Sequence, residues 1–344
     1  MNQDFKYIWS IKDGYPPSFI EDHKSKVFST FACGGGSTMG YKLAGFEVIG
    51  ANDIDTQMAK VYKYNHNPKY YFLESITELV KRDDLPKELF NLDILDGSPP
   101  CSTFSMAGSR EDSWKKDKKF REGQSKQVLS DLFFDWIRLV EKLQPKIAIA
   151  ENVKGMLMGN AKAYTQAVIK ELDKIGYNVQ LFLLNAATMG VPQKRERVFF
   201  ICLRKDIKLP KLKLNFTSKP ITFKEATYGL KNQIRKPITE NMAKYYEKCK
   251  PGNSFSSVHT KGSYFNSIRL SENKTCNTLT ALNNFYHPTI AGKLTDKEYE
   301  IIGSFPTDYN YLDIQPTYLI GMSVPPVMMA QIAYQIYLQW LQYV

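Results

Sequence analysis

Metal-ligating side chains are scarce in this chain of 344 residues: five cysteines and four histidines, none in CxxC or Cys/His ligand spacing. That scarcity argues against a zinc cluster, and an odd number of scattered cysteines argues against a disulfide framework. No apolar run approaches the roughly 18 residues of a membrane-spanning helix. The opening "MNQDFKYIWSIKDGYPPS" has no basic stretch leading into an apolar core, so no secretory signal is expected. The expectation is a cytoplasmic protein with no metal and no membrane partner. Acidic residues are also short of basic ones, 35 against 46, and the deficit is local: residues 204–274 hold 16 basic and 5 acidic side chains, and the remainder balances. A confined positive excess suits a polyanion such as nucleic acid, because each cation near a phosphate releases counterions. A merely solvated basic face remains the plainer alternative.

What is present is a rhythm. From residue 26 to 203, short β-rich apolar runs ("KVFSTFA", "FEVIGAN", "LDILDG", "KIAIAEN", "YNVQLFLLN", "RVFFICLR") alternate with segments whose apolar residues recur every three or four positions. The pattern predicts an α/β fold with a doubly wound sheet. After residue 204 the periodicity lapses into a Lys-, Asn-, Ser- and Tyr-rich stretch, read as a second, smaller, loop-rich domain over 204–303. The last twenty residues predict an amphipathic helix, opened by Pro325 and Pro326, that returns to the first domain. Residues 1–203 plus 304–344 are then one domain.

In such sheets ligands bind beyond the carboxyl ends of the strands. Three strand-end turns stand out. "FACGGGSTMG" places Gly34, Gly35 and Gly36 ahead of a helix, and Asp53 ends the following strand, set to accept from ribose hydroxyls. Counting GxGxxG from Gly34 puts Met39 at the third glycine, so a dinucleotide fits poorly and an adenosyl ligand without phosphates fits better. A purely structural glycine turn is the alternative. "DGSPPCSTFS" displays Cys101 just past two prolines, on a backbone fixed enough for a nucleophile; Cys202, Cys249 and Cys276 read as inert core. "AENVKG" puts Glu151 at the end of a wholly apolar strand, where partial desolvation favours holding a proton; a helix cap is the other reading. In "PQKRERVFFI", Arg195 and Arg197 are two apart on an incoming strand and so share a side, able to clamp a carbonyl or phosphate, or simply to pair with Glu196.

Together with "KLTDKEYEIIGSFPTDY" and "YLIGMSVPPVMMAQIAYQI", these stretches form an ordered series that resembles the motifs of DNA (cytosine-5)-methyltransferases of the bacterial and phage restriction-modification type, over nearly the whole chain. The resemblance implies a Rossmann-like sheet that binds S-adenosyl-L-methionine, releases S-adenosyl-L-homocysteine and needs no metal. Double-stranded DNA is the implied substrate, with the target cytosine flipped out. Cys101 would be the nucleophile on carbon 6 and Glu151 the acid at ring nitrogen 3. Arg195 and Arg197 would orient the base, and Asn152 would fix local geometry. Donor contacts would come from Phe31, Gly34, Gly36, Asp53, Ile54, Ile76, Pro100, Leu132 and Ser323. Residues 109–126, with seven basic side chains, match a mobile active-site loop, and 204–303 the target-recognition region. A cognate restriction endonuclease acting on the same site, a monomeric state and association with the nucleoid complete the expectation. Four positions depart from the family pattern: Cys33, Ser75, Ser102 and Met322.

Overall fold

In the computed structural model, alternate residues of each central strand face opposite sides, and both sides are apolar. On one side Val27, Ile94, Ile147, Ile149, Phe199 and Ile201 join one buried cluster; their neighbours Phe28, Leu95, Ala148, Ala150, Val198, Phe200 and Cys202 join another. Strands buried on both faces require helices on both, and that is how the sequence builds the sheet. The structure describes residues 5–13, 25–100, 132–159, 161–230, 233–235 and 237–344. Cys101 and the basic segment 109–126 lie outside the described residues.

The strands are β1 (Lys26–Thr30), β2 (Glu47–Asp53), β3 (Tyr70–Leu73), β4 (Ile94–Gly97), β5 (Ile147–Val153), β6 (Tyr177–Asn185) and β7 (Glu196–Arg204). They pair in the order β3-β2-β1-β4-β5-β7-β6. Every pairing is parallel except those of β7, which runs antiparallel to both β5 and β6. The order reverses between β1 and β4, the switch point where open α/β sheets bind ligands.

Helices α1 (Gly36–Leu43), α2 (Thr56–His66), α3 (Ile76–Lys81), α4 (Leu132–Leu143) and α5 (Ala161–Lys174) connect the strands. On one face α1 packs against the C-terminal helix α10 (Pro326–Gln339). On the other, α3, α4 and α5 supply Ile76, Leu79, Trp136, Leu139, Val168 and Leu172. The helix α10 departs from its expected amphipathic pattern: all of Pro326–Ala333 is buried, including Gln331. Pro316–Tyr343 is apolar enough to pass for a membrane span, which the sequence reading did not anticipate. Yet 89% of its most apolar window is buried inside the protein, as for a core helix of a packed sheet protein.

Beyond β7 the chain first runs back over the sheet, with Leu212 and Phe216 in the cluster under α10. It then forms the short helices α6 (Phe223–Thr227) and α7 (Glu240–Lys248) and a two-residue strand pair, β8 (Ile268–Arg269) with β9 (Phe285–Tyr286). Helices α8 (Asp296–Ile302) and α9 (Pro316–Met322) follow. A third cluster joins Leu270, Cys276, Leu279 and Phe285 to Tyr299, Ile302 and Leu319, and reaches Met39 of α1 and Met58 of α2. The three cysteines read as core, Cys202, Cys249 and Cys276, are all buried.

Candidate active site

A cleft opens at the carboxyl ends of β1, β2 and β4. Six expected donor contacts line it together: Phe31, Asp53, Ile54, Ile76, Pro100 and Leu132. Asp53 is held by backbone: its carboxylate accepts from the N–H of Cys33 at 2.7 Å and of Asp55 at 2.8 Å. Burial raises its pKa, partly offset by those N–H groups. Asp55 in turn caps α2 through the N–H groups of Gln57 and Met58, which fixes the β2–α2 turn. The remaining lining includes Asp55 and Glu74 and no lysine or arginine among the described residues. The carboxylates of this described lining favour a ligand that carries positive charge.

Three other expected donor residues do not reach the cleft surface and instead back it. A Cβ on Gly34 would fall 2.5 Å from the Leu319 side chain, and one on Gly36 2.3 Å from the carbonyl of Val324 and 2.8 Å from Ser323. Ser323 donates to the Leu319 carbonyl at 2.8 Å. The glycine loop is thus pressed against α9 and the turn after it. Gly35 is the residue in left-handed backbone, φ 83°, which glycine adopts without strain. Cys33 adopts φ 47°, and it lines the cleft together with Ser75 and Met322, while the fourth departure, Ser102, lies outside the described residues. The Ser75 hydroxyl is committed to capping α3 through the N–H of Glu78. Tyr318 and Met322 reach the cleft from α9, more than 200 residues along the chain from the glycine loop. Sequence reasoning missed Tyr318, because no local signal marks a contact made by a distant segment, and it passed over Asn52 and Met58, which flank Asp53 on β2 and α2.

Next to Pro100, at the ends of β4 and β5, is a second group. Arg197 Nε meets Glu151 Oε1 at 2.9 Å, the side chains 15% and 12% exposed. Glu151 lies within β5, and the following 3-10 turn has no side-chain cap, so the capping role does not apply. Glu196 pairs with Lys154 at 3.0 Å, which leaves Arg197 to Glu151. Asn152 is buried and donates to the Pro99 carbonyl at 3.0 Å, tying β5 to the turn that precedes residue 101.

Arg195 stands apart from this pair. It precedes β7, is 3% exposed, and donates to the carbonyls of Leu279 (3.1 Å) and Gly321 (3.3 Å). Burial, and secondarily Arg197, lowers its pKa to about 9. Gln193 reinforces the same seam, donating to Ile302 and accepting from the N–H of Leu279. The two arginines therefore do not present one shared clamp; the first joins the segment around Leu279 to α9 and the second pairs with Glu151.

Asp96 on β4 had no place in the sequence reading. It is fully buried, accepts from Ser29 Oγ at 3.0 Å and Tyr41 Oη at 3.1 Å, and burial pushes its pKa up to about 7, with Glu151 adding to the rise. Among the described residues no cluster of three or more His, Cys, Asp or Glu is arranged to hold a metal.

The sequence profile described as C-5 cytosine-specific DNA methylase matches residues 25–338. Among curated relatives, the type II methyltransferase M.FnuDI of Fusobacterium nucleatum is 37% identical over 209 residues, 61% of this chain and 54% of the relative. M.NgoFVII of Neisseria gonorrhoeae is 28% identical over 338 residues, 90% and 86% of the two chains. The match to M.FnuDI and to M.NgoPII thus spans just over half the length of those relatives. Among solved structures, a DNA modification methyltransferase encoded within an E. coli prophage shares the fold with a TM-score of 0.73, at 22% identity over 92% of this chain and 99% of that one. Spodoptera frugiperda DNMT2 shares it with a TM-score of 0.63 at 18% identity, over 91% of this chain and the whole of the other. A profile match over nine-tenths of the chain, on a seven-stranded sheet whose only antiparallel strand is β7, places this protein in the C-5 cytosine-specific DNA methylase family.

Proposed function

We propose that the chain transfers a methyl group from S-adenosyl-L-methionine to carbon 5 of a flipped-out cytosine in a specific double-stranded DNA sequence, through a covalent bond to Cys101. The observation that carries this reading is the meeting of two features at the ends of β4 and β5: a cleft reaching Pro100 whose described lining is acidic and holds no lysine or arginine, and the Glu151–Arg197 pair beside it. The donor, when bound, supplies an electrophilic methyl group on a positively charged sulfur, and the cleft's carboxylates and apolar walls fit such a ligand. Phe31, Ile54, Ile76 and Leu132 would enclose its adenosyl part, Asp53 its ribose, and the Gly34–Gly36 loop, backed by Ser323, its amino-acid part.

Cytosine carbon 5 is not nucleophilic until carbon 6 is attacked. Cys101 therefore adds as a thiolate to carbon 6 while Glu151 delivers a proton to ring nitrogen 3, so no negative charge accumulates on the ring. Carbon 5, now enamine-like, takes the methyl group; loss of its proton then expels the cysteine and restores the ring. Arg197 holds Glu151 and would engage the base carbonyl. Asn152 holds the Pro99 carbonyl and so aims the turn that carries the nucleophile. Arg195 acts at one remove, by keeping residues 278–281 against α9. Residues 204–303 would read the duplex, and 109–126 would close over it. By the same reading the protein works as a cytoplasmic, nucleoid-associated monomer, with a restriction endonuclease cutting the same sequence.

Trapping tests the proposal. Duplex DNA carrying 5-fluorocytosine at the methylated position, with the donor present, should leave the ring bonded to residue 101, visible as an adduct in the intact mass. The variant Cys101→Ser should bind duplex and form no adduct. Normal turnover by that variant, or no adduct under proven donor and duplex occupancy, removes Cys101 as nucleophile.

A further inference from the structure

Residues 5–13 lie outside the span matched by the family profile, 25–338, yet they are built into the protein. Phe5 is 5% exposed and meets Tyr334 of α10 edge-on at 6.1 Å. Trp9 Nε1 donates to the Ser304 carbonyl at 3.0 Å, and the Trp9 carbonyl accepts from the N–H of Thr307 at 2.9 Å. Asp308 then collects the rest of the segment: it accepts from the N–H groups of Ile11 (2.8 Å) and Lys12 (2.9 Å) and from Ser10 Oγ (3.0 Å). A carboxylate that receives three donors from one short segment fixes that segment and is fixed by it.

The neighbour of Asp308 is Tyr309, and its hydroxyl donates to the carbonyl of Gly34. The same carbonyl faces His66 Nε2 at 3.3 Å. Burial, and secondarily Lys42, lowers the His66 pKa to about 3, so the ring is neutral at working pH and its Nε2–H serves as the donor. The imidazole packs 4.6 Å from the Tyr62 ring and 6.0 Å from the Tyr309 ring. It also fills the space where Gly35 lacks a Cβ, which would fall 2.2 Å from Nε2. Asn65 and Asn310 exchange two hydrogen bonds, at 2.7 and 2.9 Å, locking α2 to the segment that bears Tyr309. The chain of contacts therefore runs from the N-terminal segment through Asp308 and Tyr309, joined by His66, to the backbone of the glycine loop.

We propose that Tyr309 and His66 are positioning residues for the glycine loop that receives the methyl donor, and that residues 5–13 set them through Asp308. The inference rests on the reading of this cleft as the donor site. A carbonyl held by two donors fixes the Gly34–Gly35 peptide, so the loop is preorganised rather than ordered by the ligand at binding. Removing either donor leaves the loop free to turn its carbonyl away, and the cost appears in donor binding and not in the methyl-transfer step.

The variants Tyr309→Phe and His66→Leu should each raise KM for S-adenosyl-L-methionine, and Kd for S-adenosyl-L-homocysteine by titration calorimetry, about tenfold, the worth of one hydrogen bond. For both, kcat at saturating donor and Kd for duplex DNA should stay within about twofold. His66→Gln, whose amide nitrogen reaches the position of Nε2, should recover most of the affinity, and a purely structural role for the ring predicts no such recovery. Asp308→Asn, which touches neither the loop nor the cleft, should raise donor KM by about threefold through the segment. Unchanged donor affinity in Tyr309→Phe, or a fall in kcat with KM constant, overturns the proposal. If a variant folds poorly, the rise in melting temperature produced by S-adenosyl-L-homocysteine reads the same affinity on the folded fraction. Asp53→Ala separates the two layers. If it binds donor normally, the donor-site reading falls and takes this proposal with it; if it binds weakly while Tyr309→Phe does not, only the clamp falls.

Discussion

At the scale of single residues, Asp96 is the side chain whose chemistry is least expected of its place. It sits on β4, between strands buried on both faces, and takes hydroxyl donors from β1 and α1. The groups facing it are Ser29, Ser37 and Tyr41, with Glu151 as the charged neighbour. Its pKa stands near 7 against an ordinary 3.8, burial being the main cause. The folded protein therefore holds a proton over a window in which the unfolded chain has released it. Stability falls as pH rises through that window, and the cost is complete above the folded pKa. Asn cannot ionise and keeps the shape, so Asp96→Asn should gain urea resistance over the natural protein as pH rises from 5 to 8, by at most about 3 kcal/mol. A difference in urea midpoint that does not change with pH would show that Asp96 titrates normally. None of this was legible in "LDILDG", because an aspartate in an apolar strand carries no mark of which hydroxyls will meet it. The position of Glu151 near the end of β5 was legible, since it follows an unbroken run of buried apolar residues.

At the scale of elements, the segment Gln193–Arg197 does two jobs with one alternation. Arg195 satisfies the carbonyls of Leu279 and Gly321 inside the protein, and Arg197 turns to Glu151. The consequences of removing them should separate. Arg195→Ala leaves two buried carbonyls without donors and should cost about 2–4 kcal/mol of stability. Arg197→Ala, which leaves the Glu151 carboxylate without its partner, should cost about 1–2 kcal/mol of stability, a loss that Glu151→Gln in the same chain should recover, and should slow single-turnover methyl transfer by ~100-fold, the usual size for losing one positioned charge at a reacting group. If Arg195→Ala melts normally but loses turnover, the seam is not what that arginine serves. The order of elements explains how far the sequence could be read. Strands β1, β2, β4 and β5 announce themselves as runs of β-branched and aliphatic residues, and the glycine turn follows β1 directly. Strand β3, "YYFL", is only half-buried and has neither pattern, because it lies at the sheet's edge. The reversal of β7 is also invisible locally, since a strand buried on both faces reads alike in either direction. The support given to the glycine loop by His66 and Tyr309 joins segments some 240 residues apart, and no spacing rule covers it.

At the scale of the whole molecule, the distribution of charge does what no single residue does. The sheet domain carries an acidic cleft, while the excess of basic residues is confined to 204–274. On the proposed function, a cationic donor and a polyanion would be drawn to different places on the protein without either field cancelling the other, since charges a Debye length apart are screened. On α7 and the segments after it, Lys244, Lys248, Lys250 and Lys261 are exposed. Neutralising cations that lie along the phosphates changes the dependence of binding on salt more tellingly than it changes affinity at one salt concentration, because each phosphate contact contributes about 0.9 to the slope of log K against log salt. Replacing all four lysines by alanine should therefore flatten that slope for duplex DNA by ~2–4, weaken binding alike for cognate and unrelated sequences, and leave the set of methylated sites unchanged. A slope equal to that of the natural protein would mean that this face of the recognition segment points away from the duplex. A changed methylation pattern at unchanged slope would mean instead that these lysines touch base edges and not the backbone.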